Sequence, residues 1–488
     1  MNAQPDHGSS DTLSKRRRYG ILAICSMSLL MVGLDVTIVN VALPSIGHSF
    51  HSPLSGLQWT IDAYTLVLAS LLMMSGSTAD RLGRRRTFVS GLSIFAVGSL
   101  LCSVAPSLVL LVVFRMIQAV GGSMLNPVAM SIITNTFTNP KERAQAIGVW
   151  AAVIGISMAL GPVLGGMLVT SVGWQSIFWV NVPVAVVAIV LALRFIPESK
   201  APVARKVDVV GQLLVMVFLA SLTYAIIESP RSGWTSSLIL GALLVALGSL
   251  AAFLWWERRV FEPLLDMRFF RSIPFVSATV IAVAAFASLG GFLFLNTIYL
   301  QDVRGLSPFH AGLRTLPMAV MAMLLPPVSG RILGRRGGRI PLVIAGVTLS
   351  ASCLMLVNLQ ASTSYTWLFV AYLVFGVGFG FVNAPITNTA VAGMPRAQAG
   401  VAASIASTSR QIGATVGVAV VGSLAASSLH HARHPSLSLA THPGWWVLTG
   451  CGVAILVIGL VATSPTAIKS ARTTAALINP EFLEEVVT

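Results

Sequence analysis

The chain has 488 residues, of which 55% are apolar and only 10% are charged, and its mean hydropathy is +0.84. Because soluble domains carry about 25% charged residues, this composition excludes a cytosolic enzyme and indicates a membrane protein. The net charge of +15 is divided among short basic clusters between apolar runs, which argues against a nucleic-acid partner. The four cysteines lie inside apolar runs without the spacing of metal ligands, so we predict no metal site.

Fourteen apolar runs, each long enough for a membrane-spanning helix of about 20 residues, follow one another along the chain. They begin near Tyr19, Gln58, Thr87, Ser107, Gln145, Ser176, Asp208, Ser236, Phe275, His310, Ile340, Thr366, Gly400 and Gly444. With a cytoplasmic amino terminus, most Lys and Arg residues fall on the cytoplasmic side, as the positive-inside rule requires. We therefore predict an all-α integral protein of a bacterial-type cytoplasmic membrane, with both termini in the cytoplasm.

Two parts of the chain repeat each other's motifs. Residues 76–83 are echoed by residues 330–337, and residues 143–146 by residues 396–399, each at the predicted cytoplasmic end of a span. The copies are eight spans apart, which indicates two pseudo-symmetric six-helix halves with two extra helices between them. The predicted parts are a tail (1–18), the first half (19–200), the inserted helices with a linker (201–273), the second half (274–464) and a tail (465–488). Parallel repeats of this kind enclose a midplane cavity in alternating-access transporters.

Among the acidic residues, only Asp35 and Asp62 lie well inside predicted spans. A charged side chain at the bilayer centre costs about 2.5 to 3.5 kcal/mol on insertion scales, so an intramembrane carboxylate indicates a function. Burial favours the protonated form, and we expect either residue to take up a proton on one side and release it on the other. The alternative is a carboxylate paired only for structure.

The neighbours of these carboxylates indicate the kind of ligand. Met31 lies one helical turn before Asp35, and Trp59 lies three residues before Asp62. Pliable thioethers and aromatic faces, together with a carboxylate, suit varied lipophilic cations without a tailored site. In the alternative interpretation, Met31 and Trp59 only pack against other helices or face lipid.

Two further spans carry embedded polar side chains. Arg115, Gln118 and Asn126 form a polar stripe on one face of the fourth span. A buried arginine must be paired, and we predict that Arg115 assists proton release from a nearby aspartate; a purely structural pair is the alternative. In the thirteenth span, Arg410 fits a cavity role and a packing role equally well.

The fifth span is rich in small residues. Gly161 and Gly165 form a small-xxx-small pair, while Gly155, Pro162 and Gly166 lie on a second smooth face. Such faces allow close helix packing and Pro162 allows a bend, so this span is predicted to be a hinge or packing surface rather than a ligand site.

A charged turn joins the second and third spans and contains Gly76, Asp80, Arg81, Gly83 and Arg84. A charge run is usually only solvated. A carboxylate in such a turn also caps a helix or pairs with an arginine, and so latches one conformation. We favour the latch, largely because this turn resembles a known family motif.

Several of these motifs resemble the major facilitator superfamily, and within it the fourteen-helix drug:proton antiporter branch. Residues 34–44 resemble that branch's first-span signature, and residues 76–86 resemble the superfamily loop between the second and third spans. Arg115 with Gln118 and Gly121 resembles the proton-translocation motif of the fourth span, although Ala119 replaces a usual glycine. Residues 155–166 are similar to the antiporter motif of the fifth span. Further segments resembling QacA-type exporters of quaternary ammonium biocides and dyes are residues 59–64, 139–143 and 181–183.

The resemblance implies efflux of lipophilic, often cationic drugs in exchange for protons, by a monomer in membrane lipid that needs no cofactor beyond the proton gradient. It implies that Asp35 and Asp62 are cavity carboxylates, Arg115 a proton-relay partner and Asp80 a gate. Two features depart from the pattern. Residues 174–176 read Trp-Gln-Ser, and the second half lacks the embedded acid of some relatives, which argues against dicationic substrates.

Three other functions remain open from the sequence. A dedicated self-resistance exporter of one natural product belongs to the same branch and has the same motifs. A proton-coupled solute importer is disfavoured by the fifth-span motif and by the shortage of polar side chains for a sugar or an anion. A membrane enzyme or sensor is least favoured, because no nucleophile constellation or soluble signalling domain is recognisable.

Overall fold

The computed structural model describes residues 14–200, 208–260, 265–392, 399–431 and 436–478. All regular structure in these ranges is helical. Parts of the predicted tails and linker, and the repeat at residues 396–398, lie outside the described residues.

Eighteen α-helices, a 3-10 turn (Met267–Arg271) and a π-helical turn (Tyr299–Val303) make up the described fold. The α-helices are α1 (Lys15–Phe50), α2 (Leu54–Leu82), α3 (Arg84–Ser103), α4 (Leu108–Thr136), α5 (Pro140–Ser171), α6 (Ser176–Trp179), α7 (Asn181–Phe195), α8 (Val209–Ser232), α9 (Ser237–Glu257), α10 (Ile273–Ile298), α11 (Pro308–Leu324), α12 (Pro326–Arg336), α13 (Arg339–Leu356), α14 (Tyr365–Val391), α15 (Ala399–His431), α16 (Leu437–Ala440), α17 (His442–Ala462) and α18 (Pro465–Ile478).

The predicted number of spans is confirmed. Within the described residues, 13 helices are long and apolar enough to cross a membrane, and α2, which bends by 53°, brings the number to 14. Three spans combine two consecutive α-helices: α6 with α7, α11 with α12, and α16 with α17. A fourth span combines α10 with the π-helical turn. Helix α1 begins at Lys15, after the N-cap Ser14, and so starts within the predicted amino-terminal tail. In the predicted carboxy-terminal tail, α18 is a helix that packs against α10.

Serine residues set many of the helix starts. The side chains of Ser107, Ser236, Ser307 and Ser364 accept a hydrogen bond from the backbone N–H three residues later, at the starts of α4, α9, α11 and α14. Such caps satisfy donors that have no partner within the helix. The spans therefore begin where the apolar runs meet a capping residue.

The helices form two groups. In the first, α1 packs on α4, α5 and α7, while α4 packs on α2 and α3. In the second, α10 packs on α14, α15 and α17, and α13 packs on α14 and α17. The groups meet along two seams, α2 against α15 and α5 against α11. The inserted helices α8 and α9 pack on each other, and α8 also lies on α2 and α15, across one seam.

Hydrogen bonds between the two groups concentrate toward one end of the bundle. We call the end where α1 begins the N-terminal face and the other end the opposite face. Gln58 donates to the backbone carbonyl of Ala419 over 2.8 Å, and Thr415 donates to Thr65 over 2.8 Å. Gln301 donates to the Val41 carbonyl over 2.8 Å. The described bonds therefore hold the two groups together between the middle of the bundle and the opposite face.

Candidate functional site

A buried ion pair lies at the centre of the first helix group. Asp35 on α1 and Arg115 on α4 are 0% and 1% exposed, and Arg115 Nη1 lies 2.6 Å from Asp35 Oδ2. The other carboxylate oxygen, Oδ1, accepts hydrogen bonds from Gln118 over 2.8 Å and from Asn181 over 3.2 Å. Ser99 Oγ accepts a second bond from Gln118 over 2.7 Å. Side chains from α1, α3, α4 and α7 thus converge on one carboxylate.

The arginine has further partners besides Asp35. Its Nη1 also donates to Gln118 Oε1 over 2.6 Å, and its Nε donates to the Thr60 carbonyl over 3.3 Å. The guanidinium carbon lies 4.0 Å from the centre of the Tyr64 ring, an aromatic face that attracts a cation. Arg115 therefore keeps several favourable contacts if Asp35 becomes neutral.

This arrangement allows proton exchange at one residue. A buried charge pair is stable only with good geometry and further hydrogen bonds, and the cluster supplies both. Protonation of Asp35 would remove the charge that Arg115 faces, while Gln118 and Thr60 still accept from its guanidinium. Of the four residues predicted to couple protons or bind substrate, the structure brings three together: Asp35, Arg115 and Gln118.

The fourth, Asp62, lies apart from this cluster at the seam between the helix groups. It is 0% exposed, and neither carboxylate oxygen has a hydrogen-bond partner among the described residues. On α2 it falls on the helix face of Gln58 and Thr65, whose side chains both bond to α15. Asp62 is therefore enclosed where α2 meets α15, and parting of these helices would expose it.

Met31 and Trp59 lie among different neighbours in this conformation. Met31 is 2% exposed and belongs to the apolar core of the first helix group. The Trp59 indole donates to Glu228 of α8 over 3.0 Å, and its ring packs against Tyr224. In this conformation Met31 makes packing contacts, and Trp59 makes packing contacts and one hydrogen bond; their role in a substrate cavity stays a prediction.

The other two predicted cavity residues lie in different helix groups. Asn126 on α4 is half-buried, and its side-chain oxygen has no hydrogen-bond partner among the described residues. Arg410 on α15 donates to Thr387 of α14 over 2.6 Å and lies 5.9 Å from the ring centre of Phe286 on α10. Arg410 thus joins three helices of the second group and has no carboxylate partner in the described part of the chain.

The charged turn between α2 and α3 makes a local ion pair in this conformation. Asp80 lies 3.1 Å from Arg84, one turn further along the chain. Between them Gly83 adopts a φ of +113°, which L side chains rarely adopt, and it ends α2 and begins α3. Gly76 and Arg81 lie in the last part of α2. In this conformation the Asp80 pair joins neighbouring helices of the first group rather than the two groups.

A residue that the sequence interpretation did not single out completes this turn. Glu198, after α7, accepts hydrogen bonds from the backbone N–H groups of Arg85 and Arg86 over 3.0 and 3.2 Å. A carboxylate is favourable at a helix N-terminus because of the helix dipole. Glu198 thereby fixes the start of α3 to the end of the sixth span.

One small face of α5 packs within the first helix group. A Cβ at Gly161 would collide with Thr37 of α1, and a Cβ at Gly165 would collide with Ile38 of the same helix. These two glycines, the predicted small-xxx-small pair, therefore let α5 approach α1 closely.

The other small face of α5 forms a seam between the groups. A Cβ at Gly155 would touch the backbone of Met323, and one at Gly166 would collide with the backbone at the start of α11. A Cβ at Gly312 of α11 would collide with the carbonyl oxygen of Pro162. The second smooth face predicted for α5 therefore packs against α11 of the second group.

The equivalent place in the second group has neutral side chains. Tyr372 on α14 donates to Asn296 on α10, and Phe292 packs edge-on against the Tyr372 ring. Asp302 is the only acidic residue between residues 267 and 478. Of the two groups, only the first has fully buried carboxylates among the described residues, Asp35 and Asp62.

Comparisons with known proteins match most of the chain. A sequence model described as Major Facilitator Superfamily matches residues 25–418. The chain is 37% identical over 419 residues to Multidrug resistance protein Stp of Mycobacterium tuberculosis, covering 86% of this chain and 78% of that protein. It is 36% identical to the Tetracenomycin C resistance and export protein of Streptomyces glaucescens, covering 84% and 76%. It is 34% identical to the Methylenomycin A resistance protein of Streptomyces coelicolor, covering 80% and 82%.

Solved transporter structures share the fold. A bacterial homologue of the human lysosomal transporter Spinster matches with a TM-score of 0.62 and 19% identity, covering 95% of this chain and 98% of that chain. A peptide transporter POT in complex with sulfate matches with a TM-score of 0.67 and 15% identity, covering 92% and 95%.

Proposed function

The chain belongs to the Major Facilitator Superfamily, and we propose that it exports lipophilic, often cationic drugs in exchange for protons. Transporters of this superfamily are secondary transporters, so the chain is not an enzyme. Three relatives at 34 to 37% identity are named for multidrug resistance or for resistance to an antibiotic, which supports drug efflux. We propose that the chain is a monomer in the cytoplasmic membrane. Both termini are proposed to lie inside, because a cytoplasmic amino terminus leaves most Lys and Arg residues on the cytoplasmic side.

The observation that carries proton coupling is the Asp35 cluster. Asp35 is fully buried, ion-paired over 2.6 Å and bonded to two amide side chains. A carboxylate retained at this cost in a membrane interior fits a proton carrier. When Asp35 takes a proton its pair with Arg115 weakens, and α1 and α4 are free to shift relative to each other.

In the exchange cycle, drug and proton bind in different conformations. Asp35 loses its proton toward the cytoplasm, where the drug is taken up, and regains one after the drug leaves outside. The two groups rock about the seams α2 with α15 and α5 with α11, so that only one face is open at a time. The seam bonds close the opposite face in this structure, and they must break for release.

A dedicated exporter of one natural product is the second candidate. Two relatives are named for a single antibiotic each, tetracenomycin C and methylenomycin A. The Asp35 cluster would serve a multidrug exporter and a single-product exporter equally well. The two functions therefore differ only in the range of substrates transported.

The test is ethidium transport in everted membrane vesicles under an imposed pH gradient, with a pH dye recording proton movement. We compare the wild type with Asp35→Asn, which removes the charge and nearly keeps the shape. Asp266→Asn, a change at a loop carboxylate paired with Arg268 over 2.8 Å, is the matched control. We expect gradient-dependent transport in the wild type and the control and none in Asp35→Asn.

Retained exchange in a well-expressed Asp35→Asn variant would contradict the proton-site assignment. If the folded wild type does not transport ethidium or other dyes, the proposal narrows to the single-product exporter.

A further inference from the structure

An open groove lies between α11 and α14, away from both seams. Its volume is about 430 Å³, and its walls are mostly apolar side chains, among them Leu316 and Val320 of α11 and Leu368, Phe369 and Leu373 of α14. The proposed transport mechanism does not use this groove.

The groove faces the membrane rather than the central axis. On α11, Ala311, Gly312 and Thr315 point toward α1, α5 and α10. The groove residues lie on the other side of the same helix. Leu313 and Phe369 at its edge are 37% and 52% exposed, as expected for side chains in contact with lipid.

Two arginines lie at the mouth of the groove, on one aromatic ring. The guanidinium carbons of Arg314 and Arg304 lie 4.0 and 4.3 Å from the centre of the Tyr365 ring. Arg304 also donates to the Thr363 carbonyl and to the Tyr299 hydroxyl. In the part of the chain that the structure describes, neither arginine forms an ion pair with a carboxylate. Two like charges on one ring, without a carboxylate to neutralise them, favour an anion beside them.

The dimensions match one leaflet of a bilayer. Arg314 lies six residues into α11, about 9 Å from the start of the helix, which is within reach of the headgroup region for a long side chain. From Tyr365 to Leu373 the groove follows α14 over a rise of about 12 Å, less than half of a hydrocarbon core of about 30 Å. A single acyl chain hanging from the headgroup level would fit this depth.

We propose that this groove binds an anionic phospholipid, with one acyl chain along α11 and α14 and the phosphate on Arg314 and Arg304. The arginines at the headgroup level of the opposite face attract the phosphate through charge, and the apolar walls hold the chain. A lipophilic cation would meet two positive charges at the mouth, so the proposed drug substrates do not suit this site.

The test measures lipid binding to the purified full-length chain by native mass spectrometry, with phosphatidylglycerol and phosphatidylcholine as probes. Arg314→Gln and Arg304→Gln should each weaken phosphatidylglycerol binding about fivefold and leave phosphatidylcholine binding unchanged. Arg231→Gln, at an exposed arginine in the last turn of α8, removes the same charge elsewhere and should have no effect.

A second pair of variants tests the acyl chain. Val320→Phe fills the groove without changing charge and should weaken phosphatidylglycerol binding, whereas Val370→Phe, at a 43% exposed valine of α14 outside the groove, should not. Equal phosphatidylglycerol binding by wild type and both arginine variants would overturn the proposal. Weaker phosphatidylglycerol binding in the arginine variants but not in Val320→Phe would also overturn the proposal, because the groove would then hold no acyl chain. Displacement of phosphatidylglycerol by ethidium would overturn it as well, because the groove would then hold the drug. The variants are compared only if their melting temperatures match the wild type. If Val320→Phe fails to fold, Leu373→Phe, in the groove wall on α14, replaces it.

Discussion

At the residue scale, the proposed proton exchange depends on one buried carboxylate and the arginine that neutralises it. Removing one member of a buried ion pair leaves an uncompensated charge and costs about 3 to 5 kcal/mol, whereas replacing both members is often tolerated. Asp35 and Arg115 are each at most 1% exposed, so this cost of a broken buried ion pair applies to them.

This asymmetry gives a prediction for Arg115. Arg115→Gln should lower the melting temperature of the detergent-purified protein strongly, because Asp35 is left buried without its cation. The double variant Asp35→Asn with Arg115→Gln should recover most of that stability but no proton exchange. Thermal unfolding followed by tryptophan fluorescence measures the first effect and vesicle assays the second. A double variant no more stable than Arg115→Gln would show that the pair does not act as a unit.

Asp62 gives a second prediction at this scale. The carboxylate is enclosed between α2 and α15 without a described partner, so it becomes available to a ligand when this seam opens. Asp62→Asn should reduce transport of monovalent cationic dyes about tenfold, which corresponds to about 1.4 kcal/mol, and affect neutral substrates less. Initial rates for a cationic and a neutral substrate decide the matter. Equal losses would indicate a structural or coupling role instead.

The sequence predicted part of the cluster and missed the rest for physical reasons. An arginine inside a span requires a carboxylate, and only two embedded aspartates were available, so pairing of Arg115 with an aspartate was predictable. Asn181 and Ser99 were not, because they come from α7 and α3 and reach Asp35 only through the packing of four helices. Trp59 was assigned by its spacing to Asp62, whereas its indole turns to Glu228 on α8, a contact that no local pattern reveals.

At the element scale, α8 connects the two helix groups at the seam of α2 with α15. It is bonded to α2 at two places, by Gln212 to the Ser70 carbonyl and by Glu228 to Trp59. One described side-chain bond joins it to α15, from Ser423 to the Ile226 carbonyl. Because the two groups must part at this seam, α8 has to release one of them, and the bonds favour movement together with α2.

Cross-linking tests this assignment. A bifunctional thiol reagent joining Ser70→Cys with Gln212→Cys, between α2 and α8, should leave transport nearly unchanged. The same reagent joining Ile226→Cys with Ser423→Cys, between α8 and α15, should stop transport until the link is cleaved by a reducing agent. The opposite pattern would mean that α8 moves with the second group.

The two small faces of α5 give a prediction with an internal control. Gly166→Ala places a methyl group against the backbone of α11 and should prevent closure of the opposite face, lowering transport strongly with normal expression. Gly148→Ala on the same helix meets open space and should be neutral. Vesicle transport and the yield of folded protein separate these effects. Normal transport by Gly166→Ala would show that this close approach is not needed in the cycle.

At the scale of the whole molecule, the sequence predicted the fold more completely than the site. Runs of about 20 apolar residues and the basic loops define spans because the bilayer fixes helix length, so the count of fourteen was predictable. The helix start at Lys15 and the helical segment Pro465–Ile478 were not, because basic or polar residues at the edge of a bundle form helices without an apolar signal. Which face is closed follows only from side chains that meet across the seams.

The central claim is that drug and proton compete through Asp35, and proton release on drug binding tests it most directly. Ethidium is added to the purified protein in weakly buffered detergent solution, and a pH dye records the protons released per protein. We predict release that saturates with the drug in the wild type and in Asp266→Asn, and no release in Asp35→Asn that still binds ethidium. Equal proton release by the wild type and by Asp35→Asn would contradict the account.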